Sequence, residues 1–321
     1  MTKIGVIGAG HLGKIHLKIL KTLKPLQLVG FYDSDPDTAA AVEKEFKVKA
    51  FASATELIQA VEAVDIVTPT VAHYEVAKQA IQAFKHIFIE KPITQTLDEA
   101  RSLFNLASEA KVCNQVGHVE RFNPAYLALA DMELNPLFIE THRLALWNPR
   151  GTDVSVVLDL MIHDIDILLQ LIKSPVKKIS ASGVCIISET PDIATARIEF
   201  NNGAVANLTA SRISAKNMRK TRIFQKNSYI SLDLLNKQCE VHTISDYDPE
   251  IQGILIETGS GNKMLTIAAQ KPVKDSNAIQ MELELFADAI KNKKESPVNF
   301  AQAYEVLRIA HQVIEKIQHP M

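Results

Sequence analysis

Polar side chains set in an apolar stretch are where chemistry is first expected in this chain. In Asp159-Leu160-Met161-Ile162-His163-Asp164-Ile165-Asp166, the residues Asp159, His163 and Asp166 stand at i, i+4 and i+7. On a helix this spacing makes one polar stripe beside an apolar stripe of Leu158, Ile162, Ile165 and Leu169. A histidine beside a carboxylate is suited to proton transfer near neutral pH. Two other readings of the stripe stay open: ligands to a divalent metal ion, or a solvated, hydrogen-bonded helix face. A second reactive group is Lys91, in Glu90-Lys91-Pro92. Pro92 fixes the turn and biases Lys91 towards an extended backbone. A lysine held there can donate to a hydroxyl and stabilise its oxygen as the proton leaves; a solvated surface lysine is the alternative. A third feature is basic. Arg143 and Arg150 precede the stripe, and Arg212, Lys216, Arg219, Lys220 and Arg222 follow it. Arginine forks suit phosphate oxygens, and a charged solvated loop fits the later cluster equally well.

A glycine-rich turn near the start of the chain supplies the partner such groups would need. Met1–Ile7 reads as an apolar strand, Gly8-Ala9-Gly10-His11-Leu12-Gly13 opens a helix, and Leu26–Tyr32 is a second strand ending at Asp33. Gly8 permits a tight turn, Gly10 lets the backbone approach a pyrophosphate, and Gly13 lets the helix lie close to the sheet. The helix N-terminus offers N–H groups and a positive dipole to phosphates. Asp33, 20 residues beyond Gly13, is placed to accept both hydroxyls of an adenosine ribose. A carboxylate there repels a 2′-phosphate, and no arginine follows in Ser34-Asp35-Pro36-Asp37. NAD is therefore expected over NADP.

These residues need elements to position them. Up to about residue 120 strands and helices alternate, with strands at Val64–Val67, Ile87–Ile89 and Val112–Val116. A helix over Leu12–Leu23 would face the sheet with Leu12, Ile15 and Ile19, and Ser53 and Thr96 begin capping boxes. This pattern predicts an α/β Rossmann domain over residues 1–120, a doubly wound parallel sheet covered on both faces. Residues 121–321 read differently. A long strand over Leu137–Trp147 and a helix from about Val154 to Ile172 precede a series of strand-like runs. Asn201-Asn202-Gly203 between two of those runs is a strong hairpin signal. An α+β domain with a large, mostly antiparallel open sheet is expected, helices on one face and a partner subunit possible on the other. Two helices close the chain, the last at about 300–318 with Asn299 as its N-cap, and it is a candidate to pack back on the Rossmann domain.

Composition narrows the function classes. The 321 residues suit two domains, and 47% hydrophobic content fills two cores. A net charge of −2 argues against nucleic acid as a partner. No apolar run reaches the roughly 18–20 residues that cross a membrane, and Lys3 followed at once by a strand argues against a signal peptide. Cys113, Cys185 and Cys239 are few, odd in number and far apart. They fit reduced thiols and a cytoplasmic location rather than disulfides or a zinc site.

Taken in order, the Gly8–Gly13 turn, Thr68-Pro69-Thr70 with His73, Glu90-Lys91-Pro92, and Asp159 with His163 resemble the glucose-fructose oxidoreductase / inositol dehydrogenase / rhizopine catabolism family of NAD(P)-dependent sugar dehydrogenases. The resemblance covers nearly the whole chain. It implies Lys91, Asp159 and His163 as the catalytic trio, His163 as the acid/base, and no metal. It also implies a cofactor site of Gly8, Ala9, Gly10, His11, Leu12, Asp33, Thr68, Pro69, His73, Glu90 and Lys91. Members of the family often carry glycine two residues before the histidine, where this chain has Met161, so the substrate pocket is expected to differ there. Gly117–Pro124, Asn148–Asp153 and Val156–Asp166 further resemble the branch that contains UDP-N-acetylglucosamine 3-dehydrogenases. That implies oxidation of the C3 hydroxyl of a nucleotide sugar, with Arg121, Asn123, Arg143 and Arg150 as candidate substrate contacts. It also implies a homodimer or homotetramer assembled through the open sheet. A free sugar or cyclitol substrate, or a non-catalytic NAD-binding sensor, are the alternatives.

Overall fold

The computed structural model describes residues 1–148, 154–259, 261–266, 269–271, 273 and 276–319. They fall into two compact units: Met1–Val119 with Asn277–Arg308, and Glu120–Ser276 with Ile309–Met321.

The first unit alternates as its hydrophobic pattern requires. Its elements are β1 (Thr2–Ile7), α1 (His11–Leu20), β2 (Leu26–Tyr32), α2 (Pro36–Phe46), α3 (Ala54–Ala60), β3 (Ala63–Ile66), α4 (Thr70–Gln82), β4 (His86–Glu90), α5 (Leu97–Ala110) and β5 (Asn114–Gly117). The strands form a parallel sheet in the order β2-β1-β3-β4-β5. Strands buried on both faces read as apolar runs, as β1 and β4 do. Ile4, Val6, Leu17, Leu20, Phe31 and Phe88 form the core with Leu283 and Phe286 from a later helix. Each such side chain contributes about 1.5–3 kcal/mol on burial. Thr96 opens α5 with a complete capping box, whereas Ser53 makes only its own half, accepting from the Glu56 N–H at 3.1 Å.

Helix α1 ends at Leu20 rather than Leu23. The Thr22 hydroxyl donates to the Ile19 carbonyl at 3.0 Å, and Pro25 follows before β2. Its buried residues are Gly13, His16, Leu17, Ile19 and Leu20; Leu12 and Ile15, expected on the buried face, are only half-buried.

The second unit carries α6 (Pro124–Leu127), β6 (Phe138–Leu144), a π-helical turn (Val157–Met161), α7 (Ile162–Leu171) and β7 (Val176–Val184). There follow β8 (Ile193–Phe200), β9 (Val205–Ser211), β10 (Met218–Gln225), β11 (Ser228–Asp233), β12 (Gln238–Asp246), β13 (Gly253–Thr258), β14 (Gly261–Thr266) and β15 (Ala269–Gln270). The sheet order is β13-β14-β12-β11-β10-β6-β9-β8-β7, with β15 on β12. All its pairs are antiparallel except β6 with β9. Asn201-Asn202-Gly203 makes the β8–β9 turn: the Gly203 N–H donates to the Phe200 carbonyl at 3.0 Å, and Gly203 has φ +88°. Ala194, Ala196, Ile198, Ala206, Leu208 and Ala210 are buried. On the other face of the sheet Phe138, Phe224, Tyr229 and His242 stack in sequence across β6, β10, β11 and β12.

The chain closes with α8 (Ala278–Asn292) and α9 (Phe300–Gln318). Helix α8 and the start of α9, both beyond residue 120, belong to the first unit. The Asn114 side chain accepts the Phe300 N–H at 2.8 Å, and Asn299 caps α9 through the Gln302 N–H at 3.0 Å.

Candidate active site

The glycine turn at the C-terminal end of β1 is held by backbone geometry. Gly8 has φ +96°, and a Cβ there would lie 2.6 Å from the Val67 carbonyl oxygen. A Cβ on Gly13 would lie 2.1 Å from the Gly8 oxygen. At Gly10 a Cβ would meet nothing within 4 Å. Gly10 is thus free of internal packing demands, and it is the N-cap of α1 with no side chain capping the helix. An open approach at an uncapped helix N-terminus fits a dinucleotide pyrophosphate. Asp33 follows β2 directly, beside this turn; its carboxylate accepts the Ala9 N–H at 2.6 Å and the Asp35 N–H at 2.9 Å. His11 is exposed and Leu12 half-buried in the first turn of α1.

The loops after β3 and β4 lie at the same edge of the sheet, where open α/β sheets bind ligands. Pro69 caps α4, and Thr68 is half-buried. His73 is buried between two backbone carbonyls, its Nδ1 2.9 Å from that of Pro92 and its Nε2 2.9 Å from that of Thr68. Burial lowers its proton affinity against the pull of these carbonyls, and a neutral ring donates to one of them. His73 therefore ties the two loops together. Glu90 turns its carboxylate inward, where Oε2 accepts the Lys91 N–H at 3.2 Å. Lys91 is half-buried just beyond β4.

In the second unit the predicted stripe divides. A π turn is a local widening of the helix that recurs at functional sites, and here it contains Asp159. From Met161 to Leu168 every residue but His163 is buried. Asp159 and His163 are both half-buried. Asp166 is not part of their stripe: it is fully buried and accepts Arg121 Nε at 2.8 Å. The neighbouring Asp164 accepts Arg143 Nε and Nη2, each at 2.9 Å. Among the described residues no group of three or more His, Cys, Asp or Glu side chains is gathered as a metal ion would need.

Three of the four candidate substrate contacts are committed to this interior. Arg143 is 2% exposed and also donates to Glu120 Oε1 at 2.8 Å. Burial would lower its proton affinity, but Asp164 and then Glu120 raise it. Against the effect of burial, Arg143, with Arg219 and Asn123, holds Glu120 below the usual carboxylate range. Asn123 caps α6 and donates to Glu120 and to the Leu234 carbonyl, both at 2.9 Å. Arg121 is buried on Asp166. Arg150 lies outside the described residues. The later basic cluster also disperses. Arg212 is buried on Asp192 at 2.9 Å, and Arg222 pairs with Glu140 on the open face at 2.9 Å. Arg219 approaches Glu120 at 3.4 Å on the opposite face. Alternating strand residues point to opposite faces, so a basic run on β10 cannot make one patch.

The glycine turn, the acid just past the second strand and the parallel five-stranded sheet define a dinucleotide-binding Rossmann domain. The family model described as "Oxidoreductase family, NAD-binding Rossmann fold" matches residues 2–118, and the GFO/IDH/MocA C-terminal domain matches residues 139–230. The chain belongs to the Gfo/Idh/MocA oxidoreductase family. It is 38% identical over 296 residues to a UDP-N-acetylglucosamine 3-dehydrogenase of Acidithiobacillus ferrooxidans, covering 91% of this chain and 93% of that protein. A solved structure of that enzyme superposes with a TM-score of 0.88 at 34% identity, covering 99% of this chain and 98% of that one. A scyllo-inositol 2-dehydrogenase (NAD(+)) of Bacillus subtilis is 30% identical over 232 residues, 66% of this chain and 68% of that protein. Levoglucosan dehydrogenase in complex with NADH and levoglucosan, at 20% identity and a TM-score of 0.83 over 99% of this chain and 97% of that one, shares the fold.

Proposed function

We propose that this enzyme oxidises the C3 hydroxyl of UDP-N-acetylglucosamine to a ketone, with NAD as its cofactor. The observation that carries the reading is the 38% identity to a UDP-N-acetylglucosamine 3-dehydrogenase across 91% of the chain. The inositol dehydrogenase relative, which favours a free cyclitol, covers 66%. NAD over NADP is supported by the Asp33 carboxylate, held against the glycine turn by the Ala9 N–H. A 2′-phosphate would meet its charge, with no arginine in Ser34–Asp37 to offset it.

The bound dinucleotide supplies the hydride acceptor. The chain's part is to hold the sugar and move a proton. Lys91 donates a hydrogen bond to the C3 oxygen and stabilises the charge that develops there. His163 accepts the hydroxyl proton, and Asp159 orients the imidazole. Arg121, Asn123 and Arg143 act from behind, keeping the second unit's interior rigid rather than touching substrate. Arg150 remains a candidate for the diphosphate. His73 and Glu90 shape the loops under the cofactor instead of lining it with ring or carboxylate atoms. The open sheet face, with its Phe138–Phe224–Tyr229–His242 stack, is where a homodimer or homotetramer would assemble, in a cytoplasmic setting.

The test is reduced-nicotinamide absorbance with NAD and, separately, UDP-N-acetylglucosamine, free N-acetylglucosamine and myo-inositol, with a carbonyl trap present. A signal from the UDP sugar alone supports the reading. A signal from a free sugar or cyclitol replaces the substrate and keeps the dehydrogenase.

A further inference from the structure

Behind the strand-end lysine, inside the first unit, four buried ionisable side chains from four elements converge. His16 of α1 is 0% exposed. Its Nδ1 makes a hydrogen-bonded pair with Asp65 Oδ2 on β3 at 2.9 Å; its Nε2 has no hydrogen-bond partner among the described residues and lies within ion-pair reach of Glu90 Oε1 at the end of β4, 3.3 Å away. Phe88 stands edge-on to the imidazole, with ring centroids 5.9 Å apart. Glu282 of α8 is fully buried, and neither of its carboxyl oxygens has a hydrogen-bond partner among the described residues. The remaining Glu90 oxygen accepts the Lys91 N–H. Gly117, paired with Glu90 across β4 and β5, leaves the room: a Cβ there would lie 2.7 Å from Glu90 Oε1.

The charge states follow from the surroundings. Burial alone would strip a proton from His16, but Asp65 first and then Glu90 raise its proton affinity well above the ordinary histidine value. That direction favours a protonated ring within ion-pair reach of both carboxylates, while burial raises the proton affinity of Asp65 as well. Burial, and then the neighbouring Glu90, push the proton affinity of Glu282 well above the ordinary carboxylate value. Apolar residues would have filled this volume at less cost than buried ions. What the ions add is direction. They fix one carboxylate at one point, and that point is the main chain of Lys91.

We propose that His16 is a positioning residue for Lys91, acting through Glu90. By bridging Asp65 and Glu90 it fixes the carboxylate that holds the Lys91 backbone, and so sets where the Lys91 amine is presented. The importance of that placement rests on the reading of Lys91 as the group that polarises the substrate hydroxyl.

Three variants separate the two arms of the imidazole. His16→Gln keeps an amide donor that reaches Glu90, His16→Asn keeps one that reaches Asp65, and His16→Ala keeps neither. The first readout needs no substrate: the acylation rate of the Lys91 amine in the full-length protein with NADH bound, read peptide by peptide by mass spectrometry against Lys44 and Lys111. The second is kcat with the UDP sugar, beside the NADH Kd. In His16→Ala and His16→Asn the Lys91 rate changes by about threefold or more. There kcat falls about 10- to 100-fold, as a misplaced group costs, while the NADH Kd moves less than about threefold. His16→Gln, which keeps a donor towards Glu90 but no charge, recovers part of both losses. Gly117→Ala, which displaces Glu90 and leaves His16 in place, gives the same Lys91 signature and serves if the His16 variants do not fold. An unchanged Lys91 rate in folded His16→Ala or Gly117→Ala overturns the proposal, as does rescue by Asn equal to rescue by Gln. If the wild type leaves the UDP sugar untouched while Lys91 labelling responds as expected, the substrate assignment falls and the positioning role stands.

Discussion

The dinucleotide edge of the first unit and the polar helix of the second are built from different materials. At the edge, function sits in the backbone: Gly8 at φ +96°, the open approach at Gly10, the close packing at Gly13. Side chains there, Asp33 and His73, mostly hold main-chain groups. Around α7 the reverse holds. Buried guanidinium–carboxylate pairs, Arg121 with Asp166 and Arg143 with Asp164 and Glu120, consume most of the polar residues. They leave His163 as the unburied member of the segment from Met161 to Leu168. A backbone site is specified by glycines at fixed offsets and a site of buried charges by partners distant in sequence. The first should fail through shape and the second through unpaired charge.

Each contrast can be broken in turn. The largest effect is expected at His163→Ala: turnover falls about 10²–10⁴-fold, and equilibrium titration finds NADH affinity unchanged. Retained turnover would remove His163 from the role of base. Next is Arg143→Met, which leaves Asp164 and Glu120 buried without their cation. Urea unfolding should show a loss of about 3–5 kcal/mol, the cost of breaking a buried pair from one side. A loss below about 1 kcal/mol, the ceiling for an exposed pair, would mean the network is solvated.

The glycines make a smaller, sharper pair. Gly13→Ala drives a Cβ against the Gly8 oxygen and should cost about 1–3 kcal/mol of stability. Gly10→Ala meets nothing, so its melting temperature should match wild type while NADH binding weakens about tenfold as the approach is filled. Equal stability losses at both positions would contradict the division of roles.

The smallest effect is in acid. Asp192 is buried, and although burial opposes it, the N–H groups of Ile187, Ser188 and Ile186 hold its proton affinity far below the ordinary carboxylate value of 3.8. A depressed carboxylate stabilises the fold above its unfolded pKa and loses that contribution as pH falls through the folded one. Urea midpoints of wild type should therefore decline below pH 3.8. Asp192→Asn, which also strips Arg212 of its partner, should start lower at neutral pH and decline less steeply.

These differences also explain what could be read from the chain. The glycine turn, the acid after the second strand, the parallel pairing of the first sheet and the Asn-Asn-Gly hairpin are legible because each follows from a local pattern with its own stereochemistry. The stripe was legible only in part. Periodicity assumes 3.6 residues per turn, and the π turn over Val157–Met161 departs from it. Asp166 then faces Arg121, 45 residues away. Arginines near a presumed sugar-phosphate site look like ligand contacts until their internal carboxylates are seen. Periodicity alone puts Leu12, Ile15 and Ile19 on the buried face of α1 and gives no sign of His16. Its one trace in the sequence is Asp65, a charge inside the apolar run Ala63–Val67. A buried charge demands a partner, but a single sequence does not say which.

Initial-rate absorbance of reduced nicotinamide tests most directly the proposal that Lys91 and His163 both serve oxidation of a sugar hydroxyl. Wild type, Lys91→Met and His163→Ala would each be given NAD, UDP-N-acetylglucosamine and a carbonyl trap. Reduction by wild type, with both variants slowed at least about a hundredfold and still binding NADH, is the predicted result. Reduction that persists in either variant, or a wild type that binds NADH and reduces nothing with the UDP sugar while turning over myo-inositol, would contradict it.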